Sequence, residues 1–190
     1  PCFEEDRPGR IVNVGSLAHR IGKLPLDDIN WQGGEYTPTA AYGRSKLALQ
    51  CFTQELARRL AAKDSKVIAV GGHPGFAATE IGNKSGYSTP KGPLRRWFQA
   101  RMKNVVPGPE VACQSILLAA VGEQVQNGDY YGPGGFLEIK GGPAPAKVNK
   151  IAKDGETGRR LWESSEEMTG VHFLSPGGGS ADGAPPANTY

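Results

Sequence analysis

A chain of 190 residues fits a single domain, and 38% hydrophobic with 22% charged residues is the composition of an ordinary soluble globular protein. The formal charge of +3 is too small and too evenly spread to point to nucleic acid or an anionic surface as a partner. The longest wholly apolar run, Ile116 to Val121, falls far short of the roughly 20 residues of a membrane-spanning helix, so no membrane partner is expected.

Residues 1–7 lack the basic-then-apolar pattern of a secretory leader. Three cysteines (Cys2, Cys51 and Cys113) argue against a disulfide framework, and together these features point to a cytoplasmic location. Cys51 and Cys113 both fall in helical apolar patterns and read as small buried hydrophobes.

Residues 10–16, Arg-Ile-Val-Asn-Val-Gly-Ser, read as a short strand ending in small residues. A turn-rich loop follows, and then a helix from about Thr39 to Ala62 whose stripe of Leu47, Leu49, Phe52, Leu56 and Leu60 is close to helical spacing. Lys66 to Val70 is a second strand, broken by Gly71-Gly72-His73-Pro74-Gly75. Strand, long helix, strand is a crossover unit and implies parallel strands in an α/β sheet. Residues 76–107 are irregular, with a short basic helix around Leu94–Met102. A further helix from about Pro109 to Val121 opens with proline in its first turn. Short extended pieces are expected at Tyr130-Tyr131 and Phe136–Ile139, then a last helix from Glu156 to Met168 docked by Leu161 and Trp162. The domain is expected to end at 170. Residues 171–190 are expected to be a disordered tail, because they are rich in Gly, Pro and Ala and cannot build a core.

Tyr42 and Lys46 stand four apart on the long helix, hence on one face. A phenol ionises near 10, and bringing it to 7 takes roughly 4 kcal/mol of preference for the phenolate. A cation about 4–5 Å away supplies roughly 3–4 kcal/mol at an effective dielectric of 20. The spacing alone is weak: with six tyrosines in the chain, such a pair arises by chance about one time in three. Its surroundings lift it. Ser16 closes the first strand, and His73-Pro74-Gly75 closes the second, both at carboxyl ends where open α/β sheets present ligand-binding groups. His19 and His73 have no third ligand at metal spacing and read as structural, so no metal site is expected.

Residues 11–19 (Ile-Val-Asn-Val-Gly-Ser-Leu-Ala-His), Ala41-Tyr42-x-x-Ser45-Lys46-Leu47-Ala48 and His73-Pro74-Gly75-x-x-x-Thr79 together resemble the short-chain dehydrogenase/reductase family. The Ser-Leu-Ala-His run, Asp27-Asp28 and the stretch Glu55 to Leu60 look most like its retinol-dehydrogenase-like branch, and the likeness runs from about Arg10 to Met168. The resemblance implies an oxidoreductase that moves a hydride between NADP (or NAD) and a hydrophobic alcohol or carbonyl compound. It implies that Tyr42 gives or takes the substrate proton, that Lys46 assists it and holds the nicotinamide ribose, and that Ser16 hydrogen-bonds the substrate oxygen. Pro74, Gly75 and Thr79 would border the nicotinamide, and Phe76, Trp97 and Phe98 would lie in a substrate loop. A homo-oligomer is compatible with it.

In that family a glycine-rich turn after the first strand receives the pyrophosphate. The literal Gly-x-x-x-Gly-x-Gly of this chain, Gly128, Gly132 and Gly134, comes late and does not open a helix, so it reads as a decoy. Gly15 also replaces the first of two serines common before the catalytic position. The expected fold is therefore α/β: a partial Rossmann-like, doubly wound parallel sheet lacking the N-terminal nucleotide-binding half. Two readings follow, a C-terminal portion of an oxidoreductase, or an inactive truncated homologue that pairs with another chain through an exposed sheet edge.

Overall fold

The computed structural model of the chain describes residues 9–75 and 108–174. Four strands, β1 (Arg10–Val14), β2 (Ile68–Gly72), β3 (Tyr130–Pro133) and β4 (Pro143–Pro145), form one sheet in the order β1-β2-β3-β4. β1 pairs parallel to β2 with Arg10 opposite Ile68 and Val14 opposite Gly72; β2 pairs parallel to β3, and β4 closes antiparallel on β3.

Helix α1 (Pro38–Ala62) links β1 to β2. Proline sits in its first turn, where a missing N–H costs nothing, and Arg59 lies in its last turn, where a cation suits the dipole. From residue 109 come α2 (Pro109–Ala112) and α3 (Gln114–Val121), then, beyond β4, α4 (Lys150–Lys153) and α5 (Gly155–Thr169).

Alternation along the strands sends successive side chains to opposite faces, and each face has its own cover. Ala69 and Ile11 pack with Leu56, Ala57 and Leu60 of α1, whereas Val70, Val12 and Ile68 pack with Ala119 of α3 and with Val125 and Tyr131. The sheet is therefore layered on both sides, as a doubly wound arrangement requires. A second helix layer covers α1 from outside: Leu47 and Cys51 meet Ala152 of α4 and Leu161 of α5. Trp162 stacks on Phe52 with ring centroids 5.1 Å apart, and the Arg59 guanidinium lies over the Trp162 ring, 4.5 Å from its centroid. Asp154 caps α5 by accepting from the Thr157 amide at 3.0 Å, and Gly170 ends it in the left-handed conformation.

The expected elements recur with physical adjustments. β2 starts two residues later and runs through Gly71 and Gly72, which local reasoning takes as breakers. A Cβ at Gly71 would lie 2.7 Å from the Tyr130 ring and one at Gly72 3.2 Å from Ile116, so the glycines admit close neighbours rather than end the strand. The helix expected over 109–121 is interrupted at Cys113, which caps α2 and precedes α3. Cys113 is exposed there, contrary to the buried role expected of it, while Cys51 is fully buried as expected. Phe136–Glu138 is a 3-10 turn, not an extended piece, because Leu137 and Glu138 adopt positive φ. Residues 171–174 do not belong to the expected tail: Phe173 stacks near Trp162 and Leu174 accepts from Arg59. The tail proper, the basic helix near 94–102, and Thr79, Phe76, Trp97 and Phe98 lie outside the described residues.

Candidate active site

β1 and β2 run in the same direction, so Val14 and Gly72 mark one rim of the sheet. Ser16 stands just past that rim. Its extended backbone lets the hydroxyl cap the 3-10 turn Leu17–Arg20 by accepting from the Ala18 amide at 3.2 Å.

Two glycines bring α1 against this turn. A Cβ at Gly22 would collide with the Gly43 carbonyl, and one at Gly43 would lie 3.2 Å from the Ala18 carbonyl. The helix backbone thus approaches the 18–22 segment more closely than any larger residues would permit. One turn further on, Lys46 donates from Nζ to the Val14 carbonyl at 3.1 Å. Residues 42–46 of α1 therefore run alongside residues 14–18, with Ser16 between the two points of contact. Lys46 Nζ lies 5.7 Å from the centroid of the Tyr42 ring, and Tyr42 is 42% exposed. Ser45 turns inward to its own helix and donates to the Tyr42 carbonyl at 2.8 Å.

Past β2, Pro74 is half-buried and Gly75 has φ +71°, a left-handed conformation that favours glycine. A Cβ at Gly75 would lie 2.5 Å from the Ile139 carbonyl and 2.9 Å from that of Glu138. Of the expected site residues, Ser16, Tyr42, Lys46, Pro74 and Gly75 gather on the rim formed by β1, β2 and the start of α1; Thr79 falls outside the described residues.

Beside these groups is a buried polar cluster that sequence reasoning did not assemble. His19 is buried, and its Nδ1 donates to the Ser16 carbonyl at 2.6 Å, which fixes the proton on that nitrogen. His73 is fully buried and hydrogen-bonds through Nε2 to Glu138 Oε2 at 2.9 Å. Arg20 pairs with the same carboxylate oxygen at 2.7 Å. Burial lowers the proton affinity of both histidines below the usual 6.5 more strongly than their hydrogen bonds raise it. Burial alone would raise Glu138, but the His73 hydrogen bond, the Lys147 amide and Arg20 hold its carboxyl below the usual carboxylate range. Tyr130 fits between the histidines, 5.8 Å from His19 and 5.7 Å from His73, and burial pushes its phenol up.

The Tyr130 hydroxyl also explains Gly15. It occupies the place where a Cβ at residue 15 would stand, so a serine there would meet the phenol. The decoy glycines have a similar account: Gly132 lies inside β3, and a Cβ on it would collide with the His73 imidazole. No group of three His, Cys, Asp or Glu able to hold a metal occurs among the described residues, and no described helix is long and apolar enough to cross a membrane.

No family model matches the chain. It is 40% identical over 176 residues to retinol dehydrogenase 13 of Homo sapiens, covering 88% of this chain and 48% of that protein. The mouse (Mus musculus) retinol dehydrogenase 13 is 37% identical, with 92% of this chain and 50% of the relative covered. Polyprenol dehydrogenase of Mus musculus is 33% identical over 94% of this chain and 48% of its own length. The chain thus spans about half the length of the curated relatives it matches, their C-terminal portion. Among solved structures, an uncharacterized protein from Mycobacterium paratuberculosis aligns with a TM-score of 0.63 at 31% identity, covering 87% of this chain and 52% of the other.

Proposed function

We propose, from the premise that this chain is a relative of the retinol-dehydrogenase-like branch of the short-chain dehydrogenase/reductase family, that it carries the acid–base half of a hydride-transfer site. The observation behind this reading is the alignment of Tyr42 and Lys46 along residues 14–18, which puts an exposed phenol, an ammonium and the Ser16 hydroxyl on one rim. Tyr42 exchanges a proton with the oxygen of an alcohol or carbonyl substrate, and Ser16 hydrogen-bonds the same oxygen. Lys46 supplies positive charge beside the phenol, 5.7 Å from its ring centroid.

The donor set fits the nicotinamide end of NADP or NAD. Lys46 and Tyr42 offer a cationic donor and a hydroxyl to ribose oxygens, and Pro74-Gly75 offers a turn at the end of β2. Such a nucleotide, when bound, gives or accepts the hydride. Pyrophosphate binding does not fall to the Gly128–Gly134 run, which lies within the sheet and its turn. The substrate is a hydrophobic alcohol or aldehyde, in keeping with relatives named retinol and polyprenol dehydrogenase.

The test is turnover of the complete protein with NADP(H) and NAD(H) against retinol, retinal and longer prenyl alcohols. Loss of turnover in Tyr42→Phe with unchanged nucleotide binding is expected; a variant that still turns over overturns the reading. A second reading rests on β1, whose outer side has no partner strand among the described residues, an edge open to pairing with another chain. A stable monodisperse assembly with no dehydrogenase activity at saturating nucleotide would favour it.

A further inference from the structure

The turn before β4 holds two successive non-glycine residues at positive φ, Leu137 at 52° and Glu138 at 57°. Backbone of this kind persists only where its surroundings over-determine it. Here four hydrogen-bond donors do so. Arg20 donates to the Leu137 carbonyl at 3.0 Å and pairs with Glu138 Oε2 at 2.7 Å, His73 Nε2 reaches that oxygen at 2.9 Å, and the Lys147 amide reaches Oε1 at 3.2 Å.

The hydrogen bonds fix the His73 tautomer. The Gly75 amide donates to His73 Nδ1 at 3.0 Å, so that nitrogen offers its lone pair and the ring proton sits on Nε2, facing Glu138. The groups that face the imidazole are Glu138 with its partner Arg20, His19 at 6.1 Å between centroids, and Tyr130. Each end of this chain of contacts touches the proposed site: Arg20 closes the turn that Ser16 caps, and Gly75 ends the segment proposed to border the nicotinamide.

We propose that Glu138 is a positioning residue: through His73 it sets the Pro74–Gly75 turn, and through Arg20 it locks that turn to the Ser16 segment. The proposal rests on the reading of Pro74 and Gly75 as part of the nicotinamide face and deepens it. Glu138 touches neither reacting atom. Its role is to hold the acceptor nitrogen of His73 toward the Gly75 N–H, and protonation of that nitrogen would remove the acceptor.

Nitrogen-15 NMR of the 190-residue chain reads the tautomer and the exchange rate of the Gly75 amide. Wild type is expected to carry the His73 proton on Nε2 and to protect Gly75. Glu138→Ala is expected to speed Gly75 exchange at least tenfold, and Glu138→Gln, which keeps an oxygen for His73, to restore at least part of that protection. In the complete protein Glu138→Ala is expected to raise the nucleotide KM about tenfold while kcat stays within about threefold, with Glu138→Gln intermediate. A proton on Nδ1, wild-type Gly75 exchange in Glu138→Ala, or an unchanged nucleotide KM overturns the proposal. Should Glu138→Ala fail to fold, Glu138→Asp, whose carboxylate falls one methylene short of His73, decides by the same readouts, with wild-type Gly75 exchange and nucleotide KM again overturning the proposal. An inactive wild-type protein would overturn the dehydrogenase reading by itself, while tautomer and exchange would still decide the clasp.

Discussion

Tyr42 and Lys46 reach outward from α1, tied to the rest of the molecule by a single lysine hydrogen bond to Val14, whereas His19, His73 and Glu138 are wired to fixed partners behind the same strand ends. Among the described residues, the first region leaves the Tyr42 hydroxyl without a hydrogen-bond partner and Lys46 with one. The second satisfies nearly all of its polar atoms, the buried Tyr130 hydroxyl and Gln50 amide nitrogen being exceptions among the described residues. Catalytic side chains need unspent hydrogen-bonding capacity, and the shell that orients them needs the opposite. On the proposed function, the contrast separates a residue that reacts from one that holds.

The sharpest way to break this contrast is Tyr42→Phe. On the proposed function it is expected to cut turnover by about 10³-fold or more, in the range of a lost general acid–base, with nucleotide affinity kept. Thermal unfolding of the same variant should barely move, since an exposed substitution costs about 0.5 kcal/mol or less. A large drop in melting temperature would place Tyr42 in the holding region instead.

Gly15→Ala probes the buried side. Its methyl group meets the Tyr130 hydroxyl, and such overpacking costs about 1–3 kcal/mol. Tyr130→Phe removes that hydroxyl, so the double variant should recover much of the loss in denaturant titration. Simple additivity would show that the phenol is not what excludes a side chain at position 15.

Acid sharpens the contrast next. His19 and His73 are held neutral in the fold by burial, but the unfolded chain takes up their protons as pH falls through about 6.5. Stability from these groups is whole above that pH and declines below it, by up to about 1.4 kcal/mol per pH unit for each histidine. Replacing both with glutamine should flatten the decline between pH 6.5 and the lowered folded-state values; an unchanged slope would assign the acid sensitivity elsewhere.

The smallest effect concerns thiols. Burial pushes the Cys51 thiol up to about 12, while Cys113 is exposed. A thiol reagent should modify Cys113 in the native chain at little cost to stability and reach Cys51 only on unfolding. Native labelling of Cys51 would contradict its burial.

Much of the frame was legible locally. Apolar spacing marked α1, and the four-residue spacing put Tyr42 and Lys46 on one face. The strand and glycine readings failed where a distant aromatic decided the matter: Gly71 looks like a breaker until the Tyr130 ring is placed against it. Phe136–Ile139 looked extended by composition, yet Arg20 and His73 draw Glu138 into a left-handed turn and leave Phe136 84% exposed. The resemblance carried the roles of Ser16, Pro74 and Gly75, which local pattern could only place at strand ends.

The order of residues by itself determined the α/β layering and the phenol–ammonium face, because period and spacing are properties of neighbours along the chain. Only the folded chain decided that Glu138 serves His73 and Arg20, at sequence separations of 65 and 118 residues. Ion pairs and shared protons between such distant groups leave no periodic trace, and their strength depends on burial that exists only once the layers have packed.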